Sequence, residues 1–66
     1  MAKNAQLILR DKIYPVKANQ TIRQALLEAG IQPHAVLATR DGELLTDDEV
    51  IREGQVIKLI AVISGG

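Results

Sequence analysis

The chain contains no cysteine. Disulfide staples, thiolate metal sites and cysteine nucleophiles are therefore excluded. One histidine, His34, is too few for a metal site built on imidazoles. Beside Pro33 it reads as a surface loop residue without chemistry. Aromatic side chains are nearly missing: there is no Trp or Phe, and Tyr14 stands alone. That removes the stacking platform of a single-strand nucleic-acid binder, so no direct nucleic-acid contact is expected. No apolar run has the length of a membrane span, and Met1-Ala2-Lys3-Asn4 lacks the apolar centre of a secretion signal. A cytoplasmic protein with no membrane partner is the expectation. The sequence also lacks a phosphate-cradling glycine-rich loop and a nucleophile–base pair. No catalytic residue, bound metal or bound cofactor is expected, and the chain does not read as an enzyme.

What is present fits one small domain. Sixty-six residues lie near the lower limit at which an apolar core alone holds a fold. Net charge is zero but unevenly distributed. Residues 1–40 carry six basic and two acidic side chains, net +4, and residues 41–66 carry two basic and six acidic, net −4.

Ala5–Arg10 and Ile13–Lys17 are two short apolar runs separated by Asp11-Lys12, the pattern of a β-hairpin. Pro15 has no N–H for the ladder, which puts the second strand at a sheet edge. Asn19-Gln20 end the hairpin. Thr21-Ile22-Arg23-Gln24 fits a capping box, with the Thr21 hydroxyl accepting from the Gln24 N–H and the Gln24 side chain reaching back. Ile22, Ala25, Leu26 and Ala29 then recur at helical spacing and define one apolar face. Gly30 occupies the position of a helix-terminating glycine, and Pro33 forbids simple continuation. A third strand, Val36–Arg40, leads through an Asp41-Gly42 turn to Glu43-Leu44-Leu45. Thr46-Asp47-Asp48-Glu49 resembles a second capped start, but Gly54 comes too soon for more than a single turn.

The final stretch organises the rest. Val56 to Ile63 contains one charge, Lys58, among β-branched and other apolar residues, as suits a central strand. After Ser64 come Gly65 and Gly66, which have no Cβ and pack no core. A tail of this kind can thread a narrow slot in another protein and present its carboxylate. The predicted fold is α+β: a β-grasp, ubiquitin-like arrangement of a mixed four- to five-stranded sheet with one helix on one face. The long last strand lies beside the first, in the middle of the sheet. Residues 1–63 form the domain and residues 64–66 the flexible tail.

On these residues the whole chain resembles the small sulfur-carrier proteins of the ThiS/MoaD family, β-grasp domains that end in Gly-Gly. Glu43-Leu44-Leu45-Thr46, the acidic turn Asp47-Asp48-Glu49-Val50 and the tail Ala61–Gly66 look most like its TtuB-like branch, the carriers for transfer-RNA thiolation. Thiamine-thiazole and molybdopterin carriers end similarly. The near-absence of aromatics departs from many relatives, which carry one or more near the tail, and bears on which partner this chain fits. The resemblance implies that Gly66 is adenylated by a ubiquitin-activating-like adenylyltransferase using Mg-ATP, and that sulfur then replaces AMP to leave a thiocarboxylate. It further implies a sulfur donor and a downstream sulfur-accepting enzyme as partners. In this reading Gly66 is the site of covalent attachment, while Gly65 and Ser64 serve tail threading. Ser64 is a small polar spacer.

Docking also needs a surface. Along the last strand Val56, Lys58, Ile60 and Val62 point to one face, and Ile57, Leu59, Ala61 and Ile63 to the other. One helix covers one face. If it covers the second set, Ile60 and Val62 remain as a partner-docking patch, with Lys58 further from the tail. The acidic segment from Asp41 to Glu53 either meets a basic partner or is a solvated loop. Two other functions stay open: a ubiquitin-like modifier joined to lysines through Gly66, and a non-covalent β-grasp interaction module.

Overall fold

A computed structural model describes residues 4–62. The expected boundary between 63 and 64 falls outside them. The hairpin forms as anticipated from β1 (Asn4–Leu9) and β2 (Lys12–Lys17), in antiparallel register with Leu9 opposite Lys12. Pro15, opposite Gln6, lies on the sheet's edge strand, where a missing N–H breaks no ladder.

Asn19-Gln20 do not simply end the hairpin. Asn19 takes a left-handed φ of 65°, and Gln20–Thr21 form a short strand, β3. Helix α1 (Ile22–Glu28) follows at once. Its first three N–H groups all find acceptors. Ile22 donates to the Glu49 carbonyl at 2.9 Å and Arg23 to the Asp47 carbonyl at 2.8 Å. Gln24 donates to the Thr21 hydroxyl at 3.2 Å, the expected half of the capping box. The Gln24 side chain makes no return bond among the described residues. At the other end Gly30, with φ 79°, donates to Leu27 at 3.1 Å, and Ile31 donates to Leu26 at 2.8 Å. That bond pair needs a left-handed residue at the position glycine holds.

A 3-10 turn over Pro33–Ala35, which contains the exposed His34, leads into β4 (Val36–Arg40). Asp41 and Gly42, with φ of 53° and 85°, then turn the chain tightly into β5 (Glu43–Leu45). Positive φ at both central residues is the geometry that favours Asp-Gly in a two-residue hairpin loop. Thr46–Glu49 closes as a single turn by a 3.2 Å bond from the Glu49 N–H to the Thr46 carbonyl. A strand that the sequence pattern did not announce comes next: β6 (Val50–Ile51) pairs antiparallel with β3 as a separate two-stranded sheet.

β7 (Val56–Ala61) completes the main sheet, whose order is β2-β1-β7-β4-β5. It runs parallel to β1 and antiparallel to β4, in the central position its apolar composition demands. The helix lies across one face. Beneath it Ala5, Leu7, Val16, Val36, Ala38, Ile57 and Leu59 meet Ile22, Ala25 and Leu26, and Ile51 closes the core from the small sheet. Leu7, Ile22, Leu26, Ile51 and Ile57 are fully buried, each contributing about 1.5–3 kcal/mol by leaving water. This is the mixed five-stranded, one-helix β-grasp arrangement that the element order predicts.

Candidate docking face and tail root

The period of two along β7 divides its residues between core and solvent. Ile57 and Leu59 are buried beneath the helix and Ala61 is half-buried, whereas Val56, Lys58, Ile60 and Val62 are exposed. Ile60 is 53% exposed against 5% for its neighbour Leu59. The helix therefore covers the face anticipated, and among the described residues no element packs on the opposite face of the sheet.

Strand register shows how far the bare face extends. Ile60 lies opposite Leu37 on β4, and Lys58 lies between Ile8 on β1 and Thr39 on β4. Ile13 continues that row beyond Ile8, and Leu44 continues it beyond Thr39. The result is an apolar band across all five strands, with Ile13, Leu37, Leu44, Val56, Ile60 and Val62 well exposed. An alternating strand with one wet face normally carries polar residues there. A shallow recess of about 390 Å³, lined by Ile8, Arg10, Thr39, Lys58 and Ile60, lies within the band. Leu37 and Leu44 belong to this surface as much as Ile60 does. Leu37 meets β7 through Ile60, far off in sequence, and Leu44 joins one strand further out through Thr39, so reading β7 alone missed them. Thr39 is the buried polar residue of this face, and its hydroxyl donates to the Lys58 carbonyl at 3.0 Å.

β7 ends at one rim of the band. Pairing with β1 stops at Leu9–Leu59 and pairing with β4 at Val36–Ala61. Beyond them the Val62 N–H donates to the Ala35 carbonyl at 2.8 Å. The sequence-derived tail positions Ser64, Gly65 and Gly66 lie outside the described residues. Covalent geometry alone keeps the four residues after Val62 within about 14 Å of it.

The acidic segment is partly consumed inside the molecule. Asp47 pairs with Arg23 at 3.0 Å, and Glu49 pairs with Arg40 at 3.5 Å. The Thr46 hydroxyl donates to Asp48 at 2.6 Å, which with a backbone bond holds that carboxyl below the usual carboxylate range. Part of the charge asymmetry thus fastens the loop to the helix and to β4. Among the described residues no three acidic or histidine side chains gather as a cation site. No helix there is long and apolar enough to cross a membrane.

Comparison with known proteins agrees with this geometry. The model of the ThiS family matches residues 2–66. The sulfur carrier protein TtuB of Thermus thermophilus is 41% identical over 51 residues, covering 77% of this chain and 78% of that protein. A family match that takes in both sheets, the helix and the final Gly-Gly leaves one assignment: the chain belongs to the ThiS family of ubiquitin-like sulfur carriers.

Proposed function

We propose that this chain is a cytoplasmic sulfur carrier, not itself an enzyme, whose Gly66 carboxylate is activated and then thiolated by partner enzymes. A free carboxylate is a poor acyl donor. One of its oxygens attacks the α-phosphorus of ATP held with Mg²⁺ by a ubiquitin-activating-like adenylyltransferase, and pyrophosphate leaves. A sulfur donor then supplies sulfur at the sulfide level, which attacks the acyl carbon and expels AMP, leaving a thiocarboxylate for a sulfur-accepting enzyme. Transfer-RNA thiolation is the favoured destination, from the likeness to TtuB. The carrier contributes a slim tail, Ser64-Gly65-Gly66, and a surface to hold while the tail is used.

The observation that supports this reading is the exposed apolar band beside the end of β7, the strand that the tail follows in sequence. Burying Ile60, Val62 and Leu37 against a partner removes apolar area from water, which drives association without chemistry from the carrier. Lys58, on the same face but further from the tail, acts mainly on the salt-sensitive encounter rate. ATP–pyrophosphate exchange with the adenylyltransferase from the same cell tests the proposal. The full chain supports exchange, and deleting Gly66 abolishes it while leaving the unfolding curve unchanged. Undiminished exchange by the chain lacking Gly66 contradicts the assignment.

A further inference from the structure

Among the described residues, three other than glycine take a left-handed φ: Arg10 at 59°, Asn19 at 65° and Asp41 at 53°. Asn and Asp tolerate that region, because their short polar side chains bond locally. Arginine has no comparable compensation. Arg10 and Asp11 form the two-residue loop between β1 and β2, and only the first of them has positive φ. Glycine is the usual occupant of that position, where a Cβ crowds the backbone. The turn is therefore strained by keeping a side chain there. Nothing inside the molecule offsets the strain. Arg10 is exposed, and no hydrogen bond or ion pair reaches its guanidinium among the described residues. A side chain kept in a strained conformation points to a use outside the fold.

Its surroundings say what that use is. Arg10 lines the recess of about 390 Å³ with Ile8, Thr39, Lys58 and Ile60, beside Ala61, the last residue of β7. Strand register puts Lys17 and Lys58 on the same face, and no acidic strand residue. Asp41 borders that face toward the start of β7, away from Arg10. We propose that Arg10 is a recognition residue for the adenylyltransferase, its guanidinium taking up an aspartate or glutamate carboxylate that the enzyme presents at the edge of the apolar band. This rests on the functional reading above and deepens it. The planar fork matches both carboxylate oxygens, so the pair fixes orientation as well as adding attraction. Lys58 is a point charge on a flexible stem and lacks the fork. A nucleic-acid phosphate would also fit the fork but would leave the apolar band in water. A protein carboxylate set in an apolar surface satisfies both features.

The test compares Arg10→Gly, Arg10→Lys and Lys12→Ala with the native chain in ATP–pyrophosphate exchange and in urea unfolding. Arg10→Gly relieves the turn, so the unfolding midpoint is expected to stay level or rise. In the same variant KM for the carrier rises about ten- to a hundredfold with kcat unchanged. Arg10→Lys keeps the charge without the fork and recovers only part of the loss. Lys12 lies opposite Leu9, on the helix side of the sheet, so Lys12→Ala removes an equal charge and leaves KM nearly native. Replacing exposed aspartates and glutamates of the adenylyltransferase by Asn or Gln finds the partner group. At one of them KM rises alike, and Arg10→Gly then adds little further. A native KM in Arg10→Gly, full recovery by Arg10→Lys, an equal loss in Lys12→Ala, or additive losses with every enzyme variant overturns the assignment. So does a lowered midpoint in Arg10→Gly, which removes the strain on which it stands. Absence of exchange by the native chain defeats the functional reading itself, a result distinct from an active native chain with an equally active Arg10→Gly.

Discussion

Leu59 and Ile60 are adjacent in sequence and face opposite ways, so placing an aspartate at each separates the roles of the two sheet faces. Leu59 is buried under the helix and touches the core. Losing its burial costs about 1.5–3 kcal/mol. The new carboxyl must also lose its charge or remain buried without a partner. Holding an aspartate protonated at pH 7, about three units above its ordinary pKa, costs roughly 4 kcal/mol. The two together reach about 6 kcal/mol. At about 0.05–0.15 kcal/mol per residue, a chain of this length has a total stability of roughly 3–10 kcal/mol. Leu59→Asp is therefore expected to lose most of the fold's stability, and to be largely unfolded if the parent stability lies below about 6 kcal/mol. At Ile60 about half the side chain is already in water. Its replacement loses about 1 kcal/mol of burial and up to about 1 kcal/mol of strand preference, and the carboxylate stays hydrated. Urea titration followed by far-ultraviolet circular dichroism reads the difference. With a slope near 1 kcal/mol/M, Ile60→Asp lowers the midpoint by about 1–2 M and remains cooperative. The same Ile60→Asp protein loses binding to the activating enzyme, because the interface would desolvate an unpaired carboxylate. A folded Leu59→Asp beside an unfolded Ile60→Asp would refute the face assignment and move the docking surface to the other side of the sheet.

Leu26→Ala removes a fully buried side chain from the helix's inner face and is expected to cost about 2–5 kcal/mol, read as a lower unfolding midpoint. Leu27→Ala, one residue further on the exposed face, should change the midpoint far less. The lowered Asp48 pKa sets a pH dependence. A carboxyl whose folded pKa lies below its unfolded value stabilises the fold above the unfolded pKa, and that contribution is lost as pH falls through the folded value. Thr46→Val removes the hydroxyl chiefly responsible, so the Asp48 carboxyl resonance should titrate at higher pH by nuclear magnetic resonance.

Local chemistry made much of the fold legible. The helix declared itself through Thr21, Gly30 and the spacing of Ile22, Ala25 and Leu26, all signals contained within one short stretch. Asp41-Gly42 fixed a hairpin for the same reason, and the apolar length of β7 required a central place. What escaped depends on partners remote in sequence. The β3–β6 pair is too short to show a period, so nothing marked Ile51 as one of the fully buried residues. The capping of Ile22 and Arg23 by carbonyls of the loop at residues 47 and 49 is likewise a tertiary event. Reading β7 by itself found Ile60 and Val62 but could not supply Leu37 or Leu44, which join the band through β4 and β5. The bond from Val62 to Ala35 has no sequence signature, because both contributing groups are backbone.

The central claim is that Gly66 carries sulfur, and the most direct measurement is the intact mass of the protein isolated from its own cells under conditions of sulfur demand. A thiocarboxylate replaces one oxygen by one sulfur without any other change. A species heavier by that difference is expected, with fragmentation placing the sulfur on Gly66. This species disappears when the adenylyltransferase is removed. A chain bearing only an unmodified carboxylate under those conditions, or bearing sulfur at any residue other than Gly66, would contradict it.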